Sequence, residues 1–372
     1  MRVLLAGGGT AGHINPALAI AKTIKEKEPT AEILFVGNKT GLEQRLVKNA
    51  GFDIKSISIS GFKRSLSPKA LIHNVQTAFR AVSASSASSK IIKEFKPDIC
   101  IGTGGYVSGP VMRAAQKLNI PVIIHEQNAF PGVTTKMLSK KAEYVMLAVD
   151  DARKHFDTNP NFVLTGNPIR PEILRIDEQK AKAKLKKDSK PLVLSFGGSL
   201  GARKINEGVA DLIARSGKDG NYSHIHAYGQ YGKWFPDLIR EKGADPDKCD
   251  NLDIREYIDN MAECMAAADV VICRCGAITL SGVQALGKPS VLIPSPNVAE
   301  NHQFHNAMAP ENNNAAIVVE EKDLTEKSIT EAVDKLLSDK ESLKKFSDNA
   351  RKMAITDSNE RIWAVIQKVL KK

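Results

Sequence analysis

The chain has few cysteines and no CxxC pair: Cys100, Cys249, Cys264, Cys273 and Cys275 are an odd number without redox or metal spacing. That argues against a secreted disulfide framework and for a reduced, cytosolic setting. No basic segment leads into an apolar stretch with a cleavage site, and no run approaches the roughly 20 apolar residues of a spanning helix. The expectation is a protein neither exported nor threaded through a bilayer. Neither His224-x-His226 nor His302 to His305 has Cys or acidic neighbours at metal-ligand spacing, so no bound metal is expected. Acidic charge is scarce in the first half. Residues 1–160 hold 22 Lys and Arg against 12 Asp and Glu, a net of +10, whereas residues 161–372 come to +1. Such a one-sided basic surface suits an anionic membrane, a nucleic acid or a phosphorylated ligand.

What is present is an alternation. At 372 residues and 42% hydrophobic content the chain is long for one core and comfortable for two. Short β-branched runs at Val3 to Ala6, Glu32 to Val36, Ile99 to Ile101, Val122 to Ile124, Tyr144 to Leu147 and Phe162 to Leu164 read as strands separated by helical segments. The pattern repeats at Leu192 to Phe196, His224 to Tyr228, Asp269 to Cys273, Ser290 to Ile293 and Ala316 to Val319. Strands spaced by helices imply parallel sheets covered on both faces, an α/β architecture. Asn167-Pro168-Ile169-Arg170-Pro171, followed by the Lys-rich stretch Lys180 to Lys190, marks the junction. The expected division is 1–165, 166–355 and a last helix over 356–372 able to cross back to the N-terminal domain.

Three glycine turns follow strands. Gly7-Gly8-Gly9-Thr10-Ala11-Gly12-His13 runs into a helix with Pro16 in its first turns, Gly102-Thr103-Gly104-Gly105-Tyr106 follows a second strand, and Gly197-Gly198-Ser199-Leu200-Gly201 a third. Such turns let backbone approach a ligand closely, and the free N–H groups of the next helix attract anions. The first satisfies G-x-G-x-x-G, but the second strand ends Phe35-Val36-Gly37-Asn38-Lys39 without the acid that reads a dinucleotide ribose. A nicotinamide-dependent oxidoreductase is therefore a third-ranked reading. His125-Glu126-Gln127-Asn128 delivers four polar groups to the end of its strand, and with His13 and Tyr106 would face a hydroxyl-rich ligand. Arg274 and the turn Cys275 to Thr279 begin another helix that offers N–H donors to a nucleotide.

Between Phe62 and Val82, Leu71, Ile72, Val75, Phe79 and Val82 recur at three- and four-residue spacing beside Lys63, Arg64, Lys69 and Arg80. An apolar stripe with basic flanks suits a membrane surface, although a buried helix face has the same spacing.

Taken in order, Gly7 to His13, Gly104 to Pro110, His125 to Asn128, Thr165 to Arg170, Gly197 to Ala202 and Ala299 to Gln303 resemble the MurG family, the bacterial glycosyltransferases that add N-acetylglucosamine to lipid I. The resemblance runs from about Arg2 to about Val319. It implies a GT-B architecture of two Rossmann-like domains facing a central cleft, with UDP-N-acetylglucosamine held mainly by the second and lipid I by the first. It also implies inversion at the anomeric carbon, a β-1,4 linkage and lipid II as product, at the cytoplasmic face of the membrane with peripheral attachment. The resemblance assigns the donor to Arg170, Ser199, Gln303, Ile278, the backbone of Ile258, and Gly197, Gly198 and Gly201. The acceptor side falls to Thr10, Gly12, Tyr106, His125, Glu126 and Asn128. Membrane contact falls to Phe62, Lys63, Arg64, Lys69, Ile72, Val75 and Phe79. His13 is the candidate general base, since neutral imidazole accepts a proton near neutral pH. Neither cofactor, metal nor nucleic acid is implied.

One departure stands out. After Ile278-Thr279-Leu280-Ser281 the family pattern has a glutamate that binds the donor's ribose, and this chain has Gly282. A lost charge-assisted hydrogen bond costs about 1.5 to 3 kcal/mol, roughly ten- to a hundredfold in affinity. The alternative reading is thus a non-catalytic homologue that binds lipid diphosphate.

Overall fold

The computed structural model describes residues 1–59, 83–157, 161–185 and 190–371. The chain divides into two compact units, Met1–Pro168 with Asp357–Lys372, and Ile169–Thr356. In the N-terminal unit seven parallel strands lie in the order β3-β2-β1-β4-β5-β6-β7. They are β1 (Arg2–Gly7), β2 (Glu32–Asn38), β3 (Asp53–Ile57), β4 (Ile99–Gly104), β5 (Val122–Glu126), β6 (Tyr144–Leu147) and β7 (Phe162–Leu164). The apolar run of β1 is buried on both faces. Val3 and Leu5 join a core with Ile14, Ile20 and Ile24 of helix α1 (Ala11–Lys27), while Leu4 and Ala6 join Val107, Val111 and Met112 on the opposite face. This two-sided burial is why the strand reads as continuous rather than alternating hydrophobicity. The terminal helix Ser358–Leu370 belongs to this unit, with Ile362, Val365, Ile366 and Val369 in the α1 core and Lys27 paired to Glu360 at 2.6 Å.

The C-terminal unit has six parallel strands in the order β10-β9-β8-β11-β12-β13. These are β8 (Leu192–Phe196), β9 (Ser223–Ala227), β10 (Leu252–Arg255), β11 (Val270–Cys273), β12 (Ser290–Leu292) and β13 (Ala316–Val318). Val193, Val270 and Ile272 face one core, and Leu194, Val271 and Cys273 the other.

Each sheet has one place where strand order reverses, β1 against β4 and β8 against β11. Ligands of open parallel sheets bind in the crevice beyond the carboxyl ends of such strands. All of the glycine turns seen in the sequence leave these strands, so topology alone puts them at the two crevices. The strands β3 and β10 are additions to the sequence reading; both are edge strands with little apolar signal, Asp-Ile-Lys-Ser-Ile and Leu-Asp-Ile-Arg. Among the described residues no helix is long and apolar enough to cross a membrane. The stripe containing Phe62, Lys63, Arg64, Lys69, Ile72, Val75 and Phe79 lies outside the described residues.

Candidate functional site

In the N-terminal unit, β1 ends at Gly7 and α1 starts at Ala11, which places half-buried His13 in the first helical turn, above the end of β4. Its ring lies along Gly104 and Gly105. A Cβ on Gly104 would stand 2.8 Å from the ring Nδ1, and one on Gly105 would stand 2.0 Å from the Gly8 carbonyl oxygen, with φ at +77°. No side chain fits there, so the two glycines form the seat of the histidine. Thr103 closes it from below: its hydroxyl donates to the His13 carbonyl at 2.7 Å, and its own carbonyl accepts from His13 Nδ1 at 3.1 Å.

The His13 Nδ1 also lies 3.1 Å from Gln127 Oε1. The Gln127 Nε2 donates to the His125 carbonyl at 2.8 Å and sits 3.0 Å from His125 Nδ1, while His125 Nε2 donates to the Gly166 carbonyl at 3.1 Å. His125 is fully buried, and burial lowers its pKa to about 4 from 6.5, opposed in part by the Gly166 bond, so the ring is neutral in neutral solution.

The other N-terminal candidates divide by depth. Thr10 and Gly12 are exposed on the glycine turn, and Tyr106 lies across Gly9, its hydroxyl accepting from Asn38 Nδ2 at 3.3 Å. Asn128 is half-buried at the rim. Glu126 and His125 lie beneath it: Glu126 accepts from Asn128 N and Nδ2 at 3.0 Å each and from Gly132 N at 3.2 Å, which shapes the 128–132 loop. Sequence reasoning missed Glu43, a 1%-exposed carboxylate that accepts from Asn38 N at 2.8 Å against the first glycine turn. It also passed over Gln127 as a site residue; its place in the run His125 to Asn128 was the available signal.

In the C-terminal unit, β8 runs into the Gly197–Gly201 turn before helix α8 (Arg203–Asp219). A Cβ on Gly201 would stand 2.2 Å from the Tyr228 carbonyl oxygen with φ at +84°, so the close approach of this turn to the loop after β9 requires glycine. Gly198 and Ser199 are exposed on it, and Ser199 and Leu200 carbonyls accept from Gln230 and Tyr231 N–H. After β11, the Gln303 Oε1 accepts from Cys275 N at 3.3 Å and Ser295 N at 2.9 Å, tying two rim loops together. Arg274 does the same, donating to the Ile293 and Pro294 carbonyls at 3.3 Å and pairing with Glu321. Ile278 is half-buried on the helix Ala277–Ala285, Ile258 is buried and Arg170 is exposed before the helix Pro171–Arg175. Gly282 lies buried in the helix Ala277–Ala285, where an added Cβ would meet the flexible end of Met265 at 3.3 Å and Ile173 at 3.6 Å.

Two Rossmann-like parallel sheets, each with glycine turns at its reversal point, define the GT-B class of fold. The chain matches the glycosyltransferase family 28 N-terminal domain over residues 3–147 and the family 28 C-terminal domain over residues 192–362, and it belongs to that family. It is 47% identical, over 100% of its length and 99% of the relative's, to the UDP-N-acetylglucosamine–N-acetylmuramyl-(pentapeptide) pyrophosphoryl-undecaprenol N-acetylglucosamine transferase of Acetivibrio thermocellus. The protein of the same name from Bacillus cytotoxicus is 42% identical over the full length of both chains. The crystal structure of Acinetobacter baumannii MurG superposes with a TM-score of 0.78 at 29% identity, covering 99% of each chain. A UDP-GlcNAc 2-epimerase from Neisseria meningitidis, 14% identical, shares the fold at a TM-score of 0.68 over the full length of both.

Proposed function

We propose that this enzyme transfers N-acetylglucosamine from UDP-N-acetylglucosamine to the 4-hydroxyl of the MurNAc unit of undecaprenyl-diphosphate-linked MurNAc-pentapeptide, lipid I, giving lipid II. The observation that carries the reading is full-length likeness, at 47%, to a relative bearing that name. The residue geometry supports it. His13 donates through Nδ1 to the Thr103 carbonyl, a group that only accepts, so in the neutral ring it is Nε2 that carries the lone pair. That nitrogen takes the acceptor's 4-hydroxyl proton as the oxygen attacks the anomeric carbon. The bond from this carbon to the diphosphate breaks with its electron pair on departing UDP, with inversion. The glycine turn 197–201 and the start of the helix Ala277–Ala285 supply N–H donors for the charge on the leaving diphosphate.

On this reading the N-terminal unit takes the acceptor, through Thr10, Gly12, Tyr106 and Asn128, with His125 and Glu126 in support. The C-terminal unit takes the donor through Arg170, Ser199, Gly197, Gly198, Gly201, Ile258, Ile278 and Gln303. Phe62, Lys63, Arg64, Lys69, Ile72, Val75 and Phe79 hold the protein peripherally on the anionic cytoplasmic face of the membrane, in keeping with the basic first half. Gly282 favours one rival, a homologue that keeps the acceptor side and binds the donor poorly.

The deciding measurement is calorimetric titration of UDP-N-acetylglucosamine into the purified protein, with UDP-glucose and NADPH as comparators. Selective binding of the first supports the transferase; absence of measurable binding favours the rival.

A further inference from the structure

The groups around His13 fix one another's hydrogen-bond roles. The Thr103 carbonyl only accepts, so His13 Nδ1 bears the proton. The His125 carbonyl only accepts, so the nitrogen of the Gln127 amide faces it and the amide oxygen faces His13. The Gly166 carbonyl only accepts, so His125 bears its proton on Nε2 and presents a lone pair on Nδ1 to the second hydrogen of Gln127 Nε2. Three backbone carbonyls thus determine every donor and acceptor in the chain Gly166–His125–Gln127–His13, and no alternative tautomer satisfies it. Gln127 and His125 are 2% and 0% exposed, which keeps competing water away.

We infer that Gln127, backed by His125, is a positioning residue that shares the His13 Nδ1–H with the Thr103 carbonyl, both acceptors standing at 3.1 Å, and that the two together are needed to hold the Nδ1–H tautomer and orient the Nε2 lone pair toward the acceptor hydroxyl. This rests on the reading of His13 as general base. A histidine's basic nitrogen is set by the hydrogen bond its other nitrogen makes. Gln127 touches neither donor nor acceptor in this scheme; it acts through the ring.

The inference is tested on the full-length protein in two ways. In 15N-histidine-labelled protein, with the His13 signals identified by their loss in His13→Asn, the wild type shows His13 with a protonated Nδ1 and an unprotonated Nε2, and Gln127→Leu shows a mixture. The opposite tautomer in the wild type, or the same pure Nδ1–H form in Gln127→Leu, overturns the proposal. In steady-state assays Gln127→Leu lowers kcat roughly ten- to a hundredfold with the donor KM unchanged, less than complete loss of the base because the Thr103 carbonyl remains. Equal kcat in wild type and Gln127→Leu overturns the positioning role. His13→Ala separates the two ideas: if it keeps normal turnover, the base assignment fails, while the labelled spectra still judge the tautomer lock.

Discussion

Acid should loosen the C-terminal unit, because two histidines are sealed inside its sheet. His224 and His226, both fully buried, lie one strand from Ser195, whose hydroxyl is 2.7 Å from His224 Nε2 and 2.7 Å from His226 Nδ1. Their remaining nitrogens, His224 Nδ1 and His226 Nε2, have no hydrogen-bond partner among the described residues. Burial holds the His226 pKa at about 3, from 6.5, against the opposing bond at Ser195. It also holds His224 well below 6.5, with repulsion from His226 adding to the effect. A folded-state value below the unfolded one means that the unfolded chain binds protons first, so this stability is complete above about pH 6.5 and is lost as the pH falls below it. Between about pH 7.5 and pH 5.5 each histidine costs about 1.4 kcal/mol, close to 3 kcal/mol for the pair, with about as much again per further unit until the folded values are reached. Trp234 adjoins Phe235, whose ring centroid is 4.4 Å from that of His226, so in a Trp363→Phe background its fluorescence reports this unit. In urea titrations the midpoint should fall by about 1 M over that pH range. The double substitution His224→Gln, His226→Gln should flatten the dependence. An unchanged wild-type midpoint, or an equal fall in the double variant, would refute the reasoning.

Other expectations concern the two rims and the membrane. Gly282→Glu should tighten UDP-N-acetylglucosamine roughly tenfold or more in calorimetry, on the proposed reading that a glutamate here meets the donor's ribose; unchanged affinity would show that Gly282 is no handicap. Gly105→Ala should cost about 2 kcal/mol or more, because its Cβ would meet the Gly8 carbonyl at 2.0 Å in a left-handed conformation. Calorimetric melting should show that loss in the N-terminal unit, and a wild-type profile would mean the backbone yields freely. Charge reversal at Lys63, Arg64 and Lys69 should weaken sedimentation with anionic vesicles in a salt-dependent way, at about 1 kcal/mol per residue. Indifference to the changes would place the contact elsewhere.

The parallel strands with continuous apolar runs were legible in the sequence because burial on both faces removes polar residues from them. β3 and β10 were not, since an edge strand shows one side to solvent and admits Asp53, Lys55, Asp253 and Arg255. The glycine turns were legible as close-approach turns at strand ends, but their placement at one crevice per sheet depends on strand order, which no local pattern states. The His13 network was hidden for a different reason. Its bonds join residues 90 and 114 positions apart, and its central member is a glutamine, a residue type with no catalytic signature of its own. His125 and Glu126 illustrate the complementary limit. Sequence marks polar groups at a strand end and leaves open whether they reach the surface or, as here, lie buried and brace the loop above them.

Gly282 bears on donor binding rather than on the integrity of the rim. The loops after β11 and β12 are joined by Gln303 through main-chain N–H groups and by Arg274 through main-chain carbonyls, and the turn after β8 is held to the loop after β9 by backbone bonds. None of these contacts uses the side chain at position 282. On the proposed donor assignment, a glutamate there meets a ribose hydroxyl, remote from the bond that breaks, and so stabilises the bound donor and the transition state alike. Interactions of that kind change KM and leave kcat in place. Poor donor affinity in this chain would therefore be compatible with unimpaired chemistry at saturating donor, so a titration that shows weak binding is followed by kcat at saturating donor, and a kcat near zero there completes the case for the binding homologue.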